Sequence, residues 1–240
     1  MEKEQILGVN VLVINYDELR QSVVKNIKNN KKTFIVAINP EKILKARKNE
    51  NLKELLNRAN YPIADGIGVV LASKIRRGKI RKRITGVDSM DMLCQTANEK
   101  GYKVFLYGAK EEVVNSAKNN LIKKYPKMNI VGTINGYEKD QEKIIELINK
   151  SKADIIFVAL GSPQQEEWIN ANMDKLCPKV FQGVGGAFDV ISGKTKRAPK
   201  WIQKIGLEWF YRLIKEPKRI FRQIKLLKFL FLSLFYRQKS

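Results

Sequence analysis

Residues 154–165 read Asp-Ile-Ile-Phe-Val-Ala-Leu-Gly-Ser-Pro-Gln-Gln. An unbroken apolar, β-branched run stops at a glycine and passes into helix-starting residues, the pattern of a strand buried on both faces and followed by a crossover. Working outward, 33–38 (Thr-Phe-Ile-Val-Ala-Ile), 103–107 (Lys-Val-Phe-Leu-Tyr), 128–133 and 179–184 read as strands of the same kind, and 6–14 reads as another. Helical stretches fall between them, one beginning near Asp17 and others at about 88–100, 110–125, 139–150 and 163–175. This alternation predicts an α/β fold, a Rossmann-like mostly parallel sheet with helices on both faces. In such sheets a ligand sits outside the carboxyl ends of the strands, where glycine turns let backbone approach a phosphate.

The chain has 240 residues, 44% of them hydrophobic, and carries 46 Lys plus Arg against 24 Asp plus Glu for a net charge of +22. That apolar share, near the globular norm of roughly 45–50%, fills a core despite the charge. The length fits one large domain or two small ones. There is no histidine. Ser-His-Asp triads, Cys-His pairs, His-ligated zinc and His general bases are therefore excluded, and acid–base chemistry falls to carboxylates, Lys or Tyr. Cys94 and Cys177 show no Cys-x-x-Cys spacing that would suggest a metal site or redox pair, which fits a reducing cytoplasm. The start, Met1-Glu2-Lys3-Glu4, lacks the basic and apolar regions of a signal peptide, so the chain is not expected to be secreted.

The charge is unevenly placed. Residues 194–240 hold fourteen Lys or Arg against Glu208 and Glu216, which is +12 of the +22. A second cluster, Lys74 to Arg83, has seven cations in ten residues and no acid. Both call for an anionic partner. The C-terminal segment interleaves its cations with Trp201, Trp209, Phe210, Tyr211, Phe221, Phe229, Phe231, Phe235 and Tyr236, yet its longest uncharged run, Phe229 to Tyr236, is eight residues. That is far short of the roughly 20 that span a bilayer. In a helix from Pro217 to Phe235, Ile220, Phe221, Ile224, Leu227, Leu230, Phe231 and Leu234 recur at spacings of three and four between Lys218, Arg222, Lys225 and Lys228. This favours a helix lying in an anionic membrane interface over the alternative of a docked C-terminal helix with a solvated basic face. The expected division is an α/β domain over 1–193 and a basic amphipathic helical appendage over 194–240.

The strand ends hold the candidate chemistry: Ala37-Ile38-Asn39-Pro40, Tyr107-Gly108-Ala109, Gly132 to Tyr137, Leu160 to Gln165 and Gly183 to Asp189. None contains a full Gly-x-Gly-x-x-Gly or a Walker A lysine motif, which weakens nicotinamide binding and P-loop hydrolysis. Ser162-Pro163-Gln164-Gln165 reads as a capping box with Pro at the first helical position, or as a helix terminus offering N–H groups and Gln165 to a diphosphate or sugar. Glycines after a strand, as at 183–186, serve close ligand approach better than packing. Asp65, between an apolar stretch from Tyr61 and a helix-like run, reads as a helix cap or as a carboxylate whose apolar surroundings suit a general base.

Taken together, Ala-Ile-Asn-Pro-Glu (37–41), Ala-Asp-Gly-Ile-Gly-Val-Val (64–70), Arg-Ile-Thr-Gly-Val-Asp (83–88), Leu-Tyr-Gly-Ala (106–109), Gly-Ser-Pro-Gln-Gln-Glu (161–166), Gly-Val-Gly-Gly-Ala-Phe-Asp (183–189) and Arg-Ala-Pro-Lys-Trp (197–201) resemble the WecG/TagA/CpsF glycosyltransferases, over nearly the whole chain and in order. The resemblance implies an inverting, metal-independent enzyme without a cofactor. It would move an N-acetylmannosamine-type sugar from a UDP-sugar donor to N-acetylglucosamine on a polyprenyl diphosphate, at the inner face of the cell membrane. Asp65 matches the family's proposed base, and Asn39, Arg83 and Gln165 match the polar residues around it. Tyr137 and the segment from Gly185 through Gly186 to Asp189 fall where the uridine diphosphate would lie, with Gly108, Gly161 and Gln164 at the neighbouring strand ends. Arg212, Arg219 and Arg222 match C-terminal arginines expected to neutralise diphosphate oxygens and bind the lipid. Where many members have Thr, this chain has Ala37. The family also includes members with the uronic acid form of the donor. A homo-oligomer off the membrane is left open. Two rival readings of the charge are a nucleic-acid-binding protein, for which no recognisable module is present, and a noncatalytic membrane adaptor.

Overall fold

In the computed structural model, which describes residues 1–199, 201–202, 207–215 and 220–236, the stretch 6–14 does not run as one strand. It folds back at Leu7-Gly8, whose φ values of 50 and 87 are those of a two-residue hairpin turn. The result is an antiparallel ribbon of β1 (Lys3–Ile6) and β2 (Val9–Leu12), separate from the main sheet. The apolar pattern alone did not mark this reversal, because a single glycine is all that interrupts the apolar run across the turn.

After α1 (Tyr16–Lys28), the six strands β3 (Thr33–Ile38), β4 (Tyr61–Ala64), β5 (Lys103–Gly108), β6 (Asn129–Ile134), β7 (Ile155–Ala159) and β8 (Val180–Gly183) form a sheet in the order β4-β3-β8-β7-β5-β6. Every pairing is parallel. Between them lie α2 (Pro40–Ala46), α3 (Glu50–Arg58), α4 (Ile67–Ile75), α5 (Gly86–Lys100), α6 (Glu111–Lys124), α7 (Gln141–Ser151) and α8 (Gln164–Asn172), followed by α9 (Ala187–Ile191), α10 (Glu208–Lys215) and α11 (Ile220–Phe235). The α/β expectation holds. The stretch 163–175 divides into α8 and a 3-10 turn at Met173–Lys175.

Period-two alternation splits the core between the two faces of the sheet. Phe34, Val36, Ile38, Tyr107, Ile156, Val158 and Phe181 face α2, α3, α4, α7, α8 and the hairpin. Ile35, Ala37, Val104, Leu106, Ile155, Phe157 and Val180 face α1, α5, α6 and α9. Phe229 of α11 is fully buried and joins the first cluster, so the C-terminal helix is seated on the body, against α2 and α4. Its outward side carries exposed Leu227, Phe231, Leu234 and Phe235. Three of the residues read from the sequence as one apolar face, Leu227, Phe231 and Leu234, thus point away from the protein, while Phe229 and Ser233 form the docked side. Among the described residues no helix is long and apolar enough to cross a membrane.

Candidate active site

The carboxyl ends of four adjoining strands, β4, β3, β8 and β7, open into a cleft of about 570 Å3. Each strand delivers a residue to it. Asn39 follows β3 and caps α2: its Oδ1 accepts from the Lys42 backbone N–H at 2.9 Å, which fixes the amide and leaves Nδ2 as the group that can donate into the cleft. Asp65 follows β4, and its backbone N–H extends the ladder by donating to Ile38 O at 2.8 Å. It does not cap α4. That helix starts after Gly66, whose φ of 91 suits glycine, and its N-terminus receives no side-chain hydrogen bond. The half-buried Asp65 side chain therefore lines the cleft without a capping duty.

Residues 83–85 return beside β4, with Ile84 N–H donating to Ala64 O at 2.7 Å, and this brings Arg83 to the same wall. Thr85 caps α5, and its N–H donates to the Tyr16 hydroxyl at 3.0 Å. Burial first, then the Asp88 and Asp65 carboxylates, push the Tyr16 phenol up to about 12, so it stays protonated at neutral pH.

Gln165 is not part of a capping box. Pro163 precedes α8 and no side chain caps it, because the Gln165 side chain is turned across to β8. Its Oε1 accepts from Gly185 N–H at 2.9 Å, and its Nε2 donates to Glu166 Oε1 at 2.7 Å. The Gln165 N–H is itself used, donating to Gly161 O at 2.8 Å, and does not face a ligand. Gly183 is needed here, since a Cβ on it would meet Gln165 Nε2 at 2.7 Å. Behind Gln165, Glu166 Oε1 also accepts from Lys42 Nζ at 2.8 Å, in an ion pair whose residues are 0% and 5% exposed. A buried chain of Lys42, Glu166, Gln165 and Gly185 thus holds the turn after β8 against α2 and α8.

The opposite wall is closed by Arg197. It donates to Asp88 Oδ1 at 2.6 Å and to Glu208 Oε2 at 3.1 Å, tying the start of α5 to the start of α10. Burial alone would raise the Asp88 carboxyl, but hydrogen bonds from Arg197 and Thr85 outweigh it and hold Asp88 below its ordinary value. Replacing Arg197 by Ala removes the guanidinium that pairs with both Asp88 and the buried Glu208, and is expected to cost about 2–3 kcal/mol, or roughly 5–10 °C in Tm. Arg197→Lys, which keeps the charge but not the fork, should recover only part of this in thermal melts.

Of the residues singled out in the sequence, Asp65, Asn39, Arg83, Gln165, Gly185, Gly186 and Asp189 line this one cleft. Gly108, Tyr137, Gly161 and Gln164 do not line it. Gly108 lies at the end of β5 with its α-carbon side against the Ala159 backbone, Tyr137 is an exposed residue after β6, Gly161 accepts the Gln165 N–H, and Gln164 is exposed at the head of α8. Arg219 and the side chains of Arg212 and Arg222 lie outside the described residues. Lys42, Glu166, Tyr16 and the Arg197 clasp went unassigned from sequence. Asp88 and Arg197 stand inside quoted motifs and were open to notice, whereas nothing in the sequence pairs Lys42 with Glu166.

The model of the glycosyl transferase WecG/TagA/CpsF family matches residues 4–240. An N-acetylglucosaminyldiphosphoundecaprenol N-acetyl-beta-D-mannosaminyltransferase of Bacillus subtilis (strain 168) is 39% identical over 196 residues, 81% of this chain and 76% of the relative. A protein of the same name from Staphylococcus aureus (strain MW2) is 36% identical over 228 residues, 92% of this chain and 90% of its own.

Proposed function

Since the chain belongs to the WecG/TagA/CpsF family of glycosyl transferases, we propose that it transfers N-acetylmannosamine from a UDP donor to N-acetylglucosamine on undecaprenyl diphosphate, forming the β-1,4 linkage of a teichoic acid linkage unit or a related surface polysaccharide. The observation that carries the site assignment is that the Asp65 carboxylate lines the same cleft as Asn39, Arg83 and the Gly183 to Gly186 turn. Asp65 takes the proton from the acceptor hydroxyl. That oxygen bonds to the anomeric carbon of the donor as the bond to UDP breaks from the other side, so configuration inverts and the electron pair leaves on the diphosphate. Arg83 lies where a guanidinium can meet that growing charge, with Arg212, Arg219 and Arg222 assigned to the two diphosphates. Asn39 and the turn held by Gln165 position the sugar and phosphate. Gly108, Gly161, Gln164 and Tyr137, at the ends of β5 to β7, are assigned to the uridine side.

The lipid-borne acceptor requires the protein to work at a membrane, and the outward stripe of α11 with exposed Lys225 and Lys228 supports peripheral attachment at its inner face. The test is a screen of UDP-sugars, including the N-acetylmannosamine donor and its uronic acid form, against a short-chain polyprenyl-diphosphate N-acetylglucosamine in chelator, scored by UDP release. Release with the N-acetylmannosamine donor is expected. Release with the uronic form alone would reassign the donor, and tight UDP binding without turnover on any acceptor would leave an adaptor.

A further inference from the structure

The cationic segment 74–83 and the apolar stripe of α11 are remote in sequence, yet the fold sets them side by side. α11 runs along α4 in the same direction. Leu226 meets Gly68 near the head of α4, where an added Cβ would fall 2.5 Å from Leu226 Cδ1, and Tyr236 lies under the Arg76 guanidinium just past its end, 5.3 Å from the ring centre. Leu71 and Ile75 of α4 are exposed beside the outward Leu227, Phe231, Leu234 and Phe235 of α11.

The segment after α4 is held in shape by the N-terminal hairpin. Glu4 accepts hydrogen bonds from the Ser73 hydroxyl at 2.7 Å, from the Ile80 N–H at 2.9 Å and from the Lys79 N–H. The carboxylate nearest the cations is therefore engaged with backbone and hydroxyl, and Glu2 pairs with Lys79 alone. Lys74, Arg77, Arg81 and Lys82 are exposed, and no salt bridge engages them among the described residues.

We propose that residues 74–82 are a second lipid-binding element, which with the stripe of α11 seats the protein on a bilayer containing anionic phospholipid. The occupant follows from what the face offers: unpaired cations bordering exposed Leu, Ile and Phe match a surface that presents phosphate and hydrocarbon together, whereas a nucleic acid supplies the charge alone. Gly66 and the first residues of α4, Ile67 and Gly68, line the cleft together with Lys225 and Leu226 of α11, so this seating puts the cleft mouth at the headgroups, where a lipid diphosphate would enter. The inference rests on the membrane-borne acceptor proposed above and adds the surface that meets the membrane.

The test uses the full chain, phosphatidylcholine vesicles with and without about one-third phosphatidylglycerol, and co-sedimentation. With about fivefold in partitioning per cation, K74Q/R77Q/K82Q should bind the anionic vesicles on the order of a hundredfold more weakly than wild type. A charge-matched control at the far sheet edge, K123Q/K127Q/K139Q, should bind like wild type. Sugar transfer to a water-soluble short-chain acceptor should be unchanged in the 74–82 variant, and transfer to an acceptor embedded in anionic vesicles should fall. Equal partitioning of the two triple variants overturns the proposal. So does wild-type protein that ignores vesicles, or that binds single-stranded nucleic acid in preference to them. If L227S/F231S/F235S loses the vesicles while K74Q/R77Q/K82Q keeps them, the second element is wrong and the transferase reading stands. If no sugar is transferred to any acceptor, that reading fails while the vesicle measurement still decides this one.

Discussion

Asp65→Asn is expected to lower kcat by about 10²–10⁴-fold, the usual share of a positioned general base, while the protein melts within about 2 °C of wild type. The physical ground is that Asn keeps the side chain's volume and one acceptor oxygen but cannot accept a proton. Asp65 has no helix to cap, since α4 starts after Gly66 without a side-chain cap, so the substitution removes no such contact. With no histidine in the chain, no imidazole can take over. The assay is steady-state UDP release at saturating donor and acceptor, with UDP affinity measured separately. Retained affinity with lost turnover is the expected outcome. Full turnover in Asp65→Asn would remove the mechanism and would move the search to the other carboxylates lining the cleft, Glu41, Glu208 and Asp189, the last half-buried after the glycine turn.

Lys42→Met should produce the largest loss of stability, about 3–5 kcal/mol, because it strands the Glu166 carboxylate in a site with no solvent. For a chain of this length that is roughly 10–15 °C in Tm. A second expectation separates lost packing from stranded charge. In Lys42→Met combined with Glu166→Gln no charge remains buried, and the double variant should recover about 2–3 kcal/mol of the loss, a coupling readable in a thermodynamic cycle. The functional consequence runs through Gln165, whose Nε2 donates to the same Glu166 oxygen and whose Oε1 holds Gly185. The single variant should therefore loosen the turn after β8 and weaken UDP binding even below its melting point. Melting within 2 °C of wild type would show that Glu166 finds another partner or is protonated, and would dissolve the proposed strut.

Local reading of the chain went far where one segment carries its own physics. The buried strands at 33–38, 103–107 and 154–160 were legible because each is a continuous apolar run ended by a turn, and the structure places them within a residue or so. The short elements were not. β4 holds four residues, one a proline, and α2 and α3, of seven and nine residues, repeat the helical period only about twice among charged neighbours. The hairpin was missed because its turn, Leu7-Gly8, interrupts an apolar stretch with a single glycine. At the site, Asn39 stands at a strand end that the sequence shows, whereas Asp65, after the unrecognised β4, reads as a helix cap or a base until the family resemblance decides between them, and Arg83 is named only through that resemblance. The capping box that the spacing of Gln165 allows does not form: its side chain bonds Gly185, twenty residues on.

What the sequence determined by itself was the α/β alternation, the exclusion of imidazole chemistry, the two basic clusters and the strand ends where a ligand would be met. All of these follow from composition and from periodicities of two and about 3.6 residues, which act over one element at a time. Only the tertiary structure decided that Lys42 and Glu166 share one buried ion pair, that Arg197 clasps α5 to α10, and that the cations after α4 border the outward stripe of α11. Those contacts join residues brought together only by the parallel order of the sheet and by its crossovers, so no local pattern in the chain encodes them.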